Sequence, residues 1–209
     1  MLKHKKEVFV AMAQCGHPIR GLFHDMSKFS FTEFSEGVKY FQGNRSPIEA
    51  CKEDIGYSKA WFRHRGRNKH HSQYWVDISW GKIIPCEIPW KYLVEFLCDG
   101  VGAGKVYLGS KWNNSSPLNY WIEKDGRSFY HINTRIKIEI YYRLIDAYGW
   151  EWVSSCIKHF GDIVELNQVS VSEDDMEFLS SVLKDAVDSK CVDCNISFRE
   201  SKIKFRILV

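Results

Sequence analysis

No stretch of this chain approaches the roughly 20 consecutive apolar residues that a membrane-crossing helix needs. Its start (Lys3, His4, Lys5, Lys6, Glu7) is too charged for a secretion signal. Proline is scarce, with five in 209 residues, and no repeat or low-complexity tract stands out, so solenoids and flexible arrays are excluded. An excess of one charge is also missing. The 29 Lys and Arg against 26 Asp and Glu leave +3, which gives no strong nucleic-acid signal. The seven cysteines, at 15, 51, 86, 98, 156, 191 and 194, are odd in number and irregularly spaced. That pattern argues against a disulfide framework and for a reducing, cytoplasmic setting with free thiols. Cys191-Val-Asp-Cys194 is a lone pair without the second pair of a zinc site. Gly100-Val-Gly-Ala-Gly-Lys105 lacks both the spacing and the Ser/Thr of a phosphate loop.

What is present suits one sizeable core: 44% hydrophobic residues, 15% aromatic, eight of them Trp. The spacing of apolar positions predicts a mainly α fold. Helices are expected over Leu2–Cys15, from Pro18 through Met26, from about Ser30 to Phe41, and from Ser46 to about His64. The last opens on Ser46-Pro47-Ile48-Glu49, a capping-box pattern. A short helix is expected over Asn68–Trp75, a loop over Val76–Ile88, and a long helix from Pro89 to about Tyr107. Gly100, Gly102 and Gly104 would each weaken that helix by about 1 kcal/mol against Ala, a cost that close helix packing or a close ligand would explain. Shorter helices follow at Ser116–Glu123, Thr134–Tyr148 and Glu151–Phe160. After Gly161 the pattern turns to a strand over Ile163–Val171, a helix from Ser172 to about Val187, and a hairpin of Ile196–Phe198 with Ile203–Val209 around Glu200-Ser201. The expected organisation is a helical body over 1-160 and a small α+β accessory region over 161-209.

Ligand-type side chains recur on these helices. His4 lies on the apolar face of the first, His24 and Asp25 are adjacent on the second, and Asp99 sits on the long one. His64, His70 and His71 fall between. A buried imidazole or carboxylate is costly unless paired or coordinated, and divalent first-row metals accept both donor types together. Arg63, Arg67 and Lys69 surround the histidines and make a local basic run suited to an anionic substrate, with Asn68 as a ligand-positioning or capping residue. Trp61, Tyr74 and Trp75 offer rings for base stacking or for the core. Glu33 and Glu95 are spare carboxylates, and Glu95 is placed one turn before Asp99 to orient a ligand.

The order His4, His24-Asp25, Asp99, with Leu22-Phe23-His24-Asp25-Met26-Ser27-Lys28 around the dipeptide, resembles the H…HD…D signature of the HD-domain superfamily. The stretch Gly21 to Trp75 is also similar to an uncharacterised bacterial and phage family with "HD-x-SKF" and "GRNKHH-x-x-YW" blocks. The resemblance implies an HD-like helical bundle in which His4, His24, Asp25 and Asp99 hold one divalent ion (Mn, Fe, Co, Ni or Mg). His64 with His70 or His71 would hold a second. It implies a phosphohydrolase acting on a small phosphorylated substrate such as a nucleotide, with Asp25 bridging the ions or orienting the nucleophile and Lys28 reaching a phosphate oxygen. Arg63, Arg67, Asn68 and Lys69 would bind substrate. An HD-type di-iron oxygenase uses the same ligand set, and a non-catalytic protein that sequesters a nucleotide is a third expectation. The accessory region offers a surface for a homo-oligomer or another partner.

Overall fold

In the computed structural model, the described residues are 1–43, 45–123, 130–162 and 164, with the backbone of 194–197 and 202–205. The fold is mainly α. The helices are α1 (Leu2–Gln14), α2 (Pro18–Phe23), α3 (Phe31–Lys39), α4 (Pro47–Ile55), α5 (Lys59–Arg65), α6 (Trp90–Leu108), α7 (Ser116–Glu123), α8 (Ile132–Tyr148) and α9 (Trp150–Phe160). Two antiparallel hairpins and three short 3₁₀ turns (Met26–Phe29, Ser72–Tyr74 and Gly109–Lys111) complete the described elements. One hairpin pairs β1 (Val76–Ser79) with β2 (Lys82–Pro85), the other β3 (Cys194–Ser197) with β4 (Lys202–Phe205). No described helix is long and apolar enough to cross a membrane.

The core centres on α6. Leu93, Val94, Leu97, Cys98 and Val101 pack on Val8, Ala11, Met12 and Cys15 of α1, and on Ile138, Tyr141, Leu144 and Ile145 of α8. Trp150 closes it from α9, its Nε1 donating to Gln14 Oε1 at 2.7 Å. The small residues of α6 serve helix packing. A Cβ on Gly102 would stand 2.7 Å from Val8 Cγ2 and 3.0 Å from the Val8 backbone nitrogen, and one on Gly100 would collide with the Tyr142 hydroxyl. Gly102 therefore lets α1 lie close against α6, which brings His4 to Asp99.

Several local expectations are corrected. The helix expected from Ser46 to His64 breaks at Gly56, whose φ of 82° ends α4; Ser58 then caps α5 by accepting from the Trp61 N–H at 2.9 Å. Ser46 makes no side-chain cap bond, and Glu49 pairs with Lys52 (2.9 Å). Only Ser72–Tyr74 of the expected Asn68–Trp75 helix is helical, as a 3₁₀ turn. The expected loop over Val76–Ile88 holds the β1–β2 hairpin. Its turn residues Trp80 and Gly81 both have positive φ, as a two-residue hairpin of matching twist requires. Beyond α9, Asp162 accepts from Lys137 Nζ (2.5 Å) and from the Tyr141 hydroxyl (2.9 Å), and Val164 is buried. The β3–β4 hairpin lies where one was expected around Glu200-Ser201. The expected strand over 163–171 and helix over 172–187 lie outside the described residues, as does the pairing state of Cys191.

Gly102→Ala is expected to destabilise the protein by about 1–3 kcal/mol, the usual cost of overpacking, read as a lower Tm and weaker metal uptake. Gly37→Ala in α3, where nothing lies within 4 Å of an added Cβ, should leave Tm unchanged or raise it through helix propensity. Equal Tm for Gly102→Ala and wild type would contradict the close α1–α6 contact.

Candidate metal centre

The site begins with a helix that stops early. Adjacent residues on a helix diverge by about 100°, so an unbroken α2 would aim His24 and Asp25 apart. Instead α2 ends at Phe23. His24 turns extended (φ −53°, ψ 131°) and Asp25 adopts the left-handed region (φ 53°, ψ 29°). Asp tolerates that conformation better than most side chains do, and strain of this kind gathers at functional sites. The break leaves helix-end carbonyls without helical partners. Lys5 of α1 donates Nζ to the carbonyl oxygens of Leu22 (2.7 Å) and His24 (2.8 Å) and so pins the break against α1. The sequence expectation of both residues on one continuous helix is corrected accordingly, and Lys28 follows on a 3₁₀ turn over Met26–Phe29.

Around this break, distant parts of the chain converge. His4 Nε2 stands 2.9 Å from Asp99 Oδ1, and His24 Nε2 stands 3.3 Å from both Asp99 Oδ1 and Asp25 Oδ2. On the other side of the Asp25 carboxylate, Oδ1 faces His64 Nε2 at 3.3 Å and His70 Nε2 at 3.6 Å. Lys28 Nζ closes on Asp25 Oδ2 at 2.5 Å. Two donor groups meet at the Asp25 carboxylate, His4/His24/Asp25/Asp99 and Asp25/His64/His70/His71, and a third, His24/His70/Glu95, lies behind the rings; in each the ligand atoms are within 4.8 Å of one another. Asp25 belongs to the first two.

Carboxylates behind the rings set which nitrogen faces inward. Glu95 Oε1 lies 3.0 Å from His24 Nδ1 and 3.3 Å from His70 Nδ1, while Glu33 Oε2 lies 2.8 Å from His64 Nδ1. A carboxylate only accepts, so the Nδ1 atoms of His24 and His64 carry hydrogen and their Nε2 atoms point at Asp25. Carboxylates on the far nitrogen of metal-binding histidines fix ring orientation in this way.

The buried polar atoms fit a cation. His24 Nε2, Asp25 Oδ1, His70 Nε2, His71 Nε2 and Asp99 Oδ1 make no hydrogen bond within the protein, although they face one another across the centre. In a native interior such atoms have partners, and shared coordination would supply one. Without a cation, protons must hold the cluster together. Burial opposes charging His24, but its contacts with Asp25, Asp99 and Glu95 outweigh that and lift its pKa to about 11. Burial likewise opposes charge on Glu95, yet His24 and His70 hold it down to about 2. Burial resists charge on Asp25 too, and is outweighed chiefly by His24 and Lys28; Asp99 is held low by His24 and His4 against the same resistance. For His71, burial, then the neighbouring His70 and His64, outweigh the pull of Asp99 and Asp25 and push it well below the usual imidazole range.

The remaining sequence candidates fall elsewhere. Arg63 turns away, its Nε donating to Ser30 Oγ at 3.2 Å. Asn68 is a tie between segments, its Nδ2 donating to Ser27 Oγ (2.8 Å) and to the His64 carbonyl (2.9 Å). Arg67, Asn68 and Lys69 line a cleft of about 770 Å³ with Glu95. Trp75 packs on the core and donates Nε1 to the Lys69 carbonyl (2.6 Å), whereas the Trp61 ring lies 5.0 Å from that of His71. Sequence reasoning left Glu33 without a role and missed Lys5 and Arg20. Arg20 Nη1 holds Glu95 Oε2 at 3.2 Å, a contact 75 positions apart in the chain.

In the metal-free protein the raised His24 pKa contributes stability that is full below pH 6.5 and fades as pH rises toward 11. The depressed Glu95 pKa contributes stability that is present above 4.5 and lost as pH falls toward 2. A cation that replaces the His24 proton must release it, so calorimetric titration with Mn²⁺ at pH 8 should show proton release in buffers of different ionisation enthalpy. Heats that do not depend on the buffer would contradict this. Glu95→Gln should weaken metal binding by about 10- to 100-fold.

No curated protein and no solved structure matches the chain. A family model does match, over residues 1–143, a span that holds both donor groups from His4 to Asp99. The chain belongs to that family, one of unknown function described as DUF5662.

Proposed function

We propose that this protein is a metal-dependent phosphohydrolase of the HD-domain type, with Asp25 shared between two divalent ions. The observation that carries the proposal is the position of the Asp25 carboxylate, between the His4/His24/Asp99 donors and the His64/His70/His71 donors. The order of ligands along the chain, which resembles the HD-domain superfamily, supports the same reading. His64 and His70, with Glu33 and Glu95 behind them, are the better-oriented pair for the second ion; His71, kept neutral by its surroundings, completes that set. A donor set rich in imidazole favours Mn, Fe, Co or Ni over Mg.

When bound, such ions supply Lewis acidity and a water of lowered pKa for in-line attack on phosphorus. The residues of the chain do the remaining work. Glu33 and Glu95 hold the imidazoles in register. Lys28 stays cationic, because Asp25 and Asp99 outweigh the burial that opposes its charge. Its side chain is 30% exposed, so it can meet a phosphate oxygen while neutralising Asp25. Lys28, a cation in contact with Asp25 and partly open to solvent, favours a phosphorylated substrate over the oxygenase chemistry that the same ligands would also serve.

Protein loaded with Mn²⁺, Fe²⁺, Co²⁺ or Ni²⁺ and offered a panel of nucleotides and simple phosphomonoesters and diesters should hydrolyse at least one. Asp25→Asn should reduce turnover by 10³-fold or more, on the order of 4 kcal/mol of barrier, and lower metal content. Lys28→Ala should cost about 10²-fold while metal content stays at the wild-type level. Full metal loading with no hydrolysis anywhere in the panel would refute the proposal.

A further inference from the structure

The cleft of about 770 Å³ shares Glu95 with the cluster around the donor groups, and no histidine ligand or Asp25 lines it. Its volume is that of a small-molecule site. Three cationic side chains face it: Arg20 from α2, and Arg67 and Lys69 from the segment after α5. Two of them, Arg20 and Lys69, rest against aromatic rings. The Arg20 guanidinium lies 4.8 Å from the Tyr92 ring centroid, and Lys69 Nζ lies 5.6 Å from it and 5.3 Å from that of Tyr74. Among the described residues neither Arg67 nor Lys69 has an ion-pair partner. The one acid in the lining, Glu95, is already committed: Oε1 faces His24 and His70, and Oε2 faces Arg20. Positive charge therefore converges on a cavity with no free counter-charge, which is the electrostatic condition for holding an anion.

We propose that this cleft is an anion-binding site for a phosphate-bearing small molecule, separate from the donor groups and joined to them through Arg20 and Glu95. Arg20 is the hinge of the coupling. An anion that draws the guanidinium toward itself relieves Glu95 of a positive neighbour and leaves its carboxylate a stronger acceptor for the Nδ1 hydrogen of His24. A stronger acceptor there makes the His24 Nε2 atom a better metal donor. Anion and metal thus strengthen each other's binding, and by linkage the factor is the same in both directions. The site itself does not depend on the hydrolase reading; the coupling depends only on metal binding at the donor groups.

The test uses inorganic phosphate, with sulfate in parallel because it ligates metals weakly. On protein freed of metal, calorimetry should show phosphate and sulfate binding at millimolar or better affinity. Arg67→Ala/Lys69→Ala, at exposed positions, should weaken it at least tenfold with an unchanged circular dichroism spectrum and unchanged metal uptake. Asp25→Ala should retain it. No anion binding by the metal-free wild type, equal binding by the double variant, or loss of binding in Asp25→Ala would each overturn the site. In the second arm, saturating sulfate should tighten Mn²⁺ binding by about fivefold or more, and Arg20→Gln should abolish that gain. An unchanged Mn²⁺ affinity would overturn the coupling. Failure of the wild type to take up any metal would instead sink the metal centre and leave the first arm standing on its own result.

Discussion

The structure depends on how a buried carboxylate is compensated. Asp25 is 5% exposed, held in a left-handed backbone conformation, and ringed by imidazoles from three separate segments. An uncompensated charge in such a place would be prohibitively costly. Lys28 offsets part of it, and shared protons or shared cations must supply the rest. Much of the fold near the site reads as a consequence. α2 stops at Phe23, so that His24 and Asp25 aim at one volume. Lys5 ties off the exposed carbonyls. Gly102 lets α1 come near enough for His4 to reach Asp99.

A second ring of charge gives the first its orientation. Glu95 and Glu33 sit behind His24, His70 and His64, and Arg20 sits behind Glu95. Each layer neutralises and orients the one inside it. Loss of an inner partner leaves an outer charge buried and unpaired, so substitutions here should be felt beyond their immediate contacts. Among the described residues, Glu95 is common to the basic cleft and this layer, with Oε2 on Arg20 and Oε1 on His24 and His70.

The convergence of His4, His24, Asp25, His64, His70, His71 and Asp99 was legible because such side chains on apolar helix faces are unusual, and an intersecting set of helices can bring them together. The long α6 and the α8–α9 pair were legible from their 3.6-residue periodicity. Local conformation at the site was not. Nothing in Leu22-Phe23-His24-Asp25-Met26 signals a helix end, since no Gly or Pro marks it; the break is imposed by tertiary contacts with Lys5 and by the need for Asp25 to face inward. The β1–β2 hairpin was missed because its turn is Trp80-Gly81 rather than the Asn-Gly or Asp-Gly that usually announces one. Arg63 and Arg67 look alike in sequence, yet one serves Ser30 and the other the cleft. The phase of the chain across Gly66 decides that, and residue type does not. Arg20 was invisible as a functional residue because its partner lies 75 positions away.

Anomalous X-ray scattering from crystals grown with Mn²⁺ or Fe²⁺ tests the central claim most directly. Two metal peaks, one on each side of the Asp25 carboxylate, with His24 and Asp99 bonded to one and His64 and His70 to the other at about 2.0–2.3 Å, are what the account predicts. Metal bound elsewhere, or fully occupied protein in which Asp25 ligates neither ion, would contradict it.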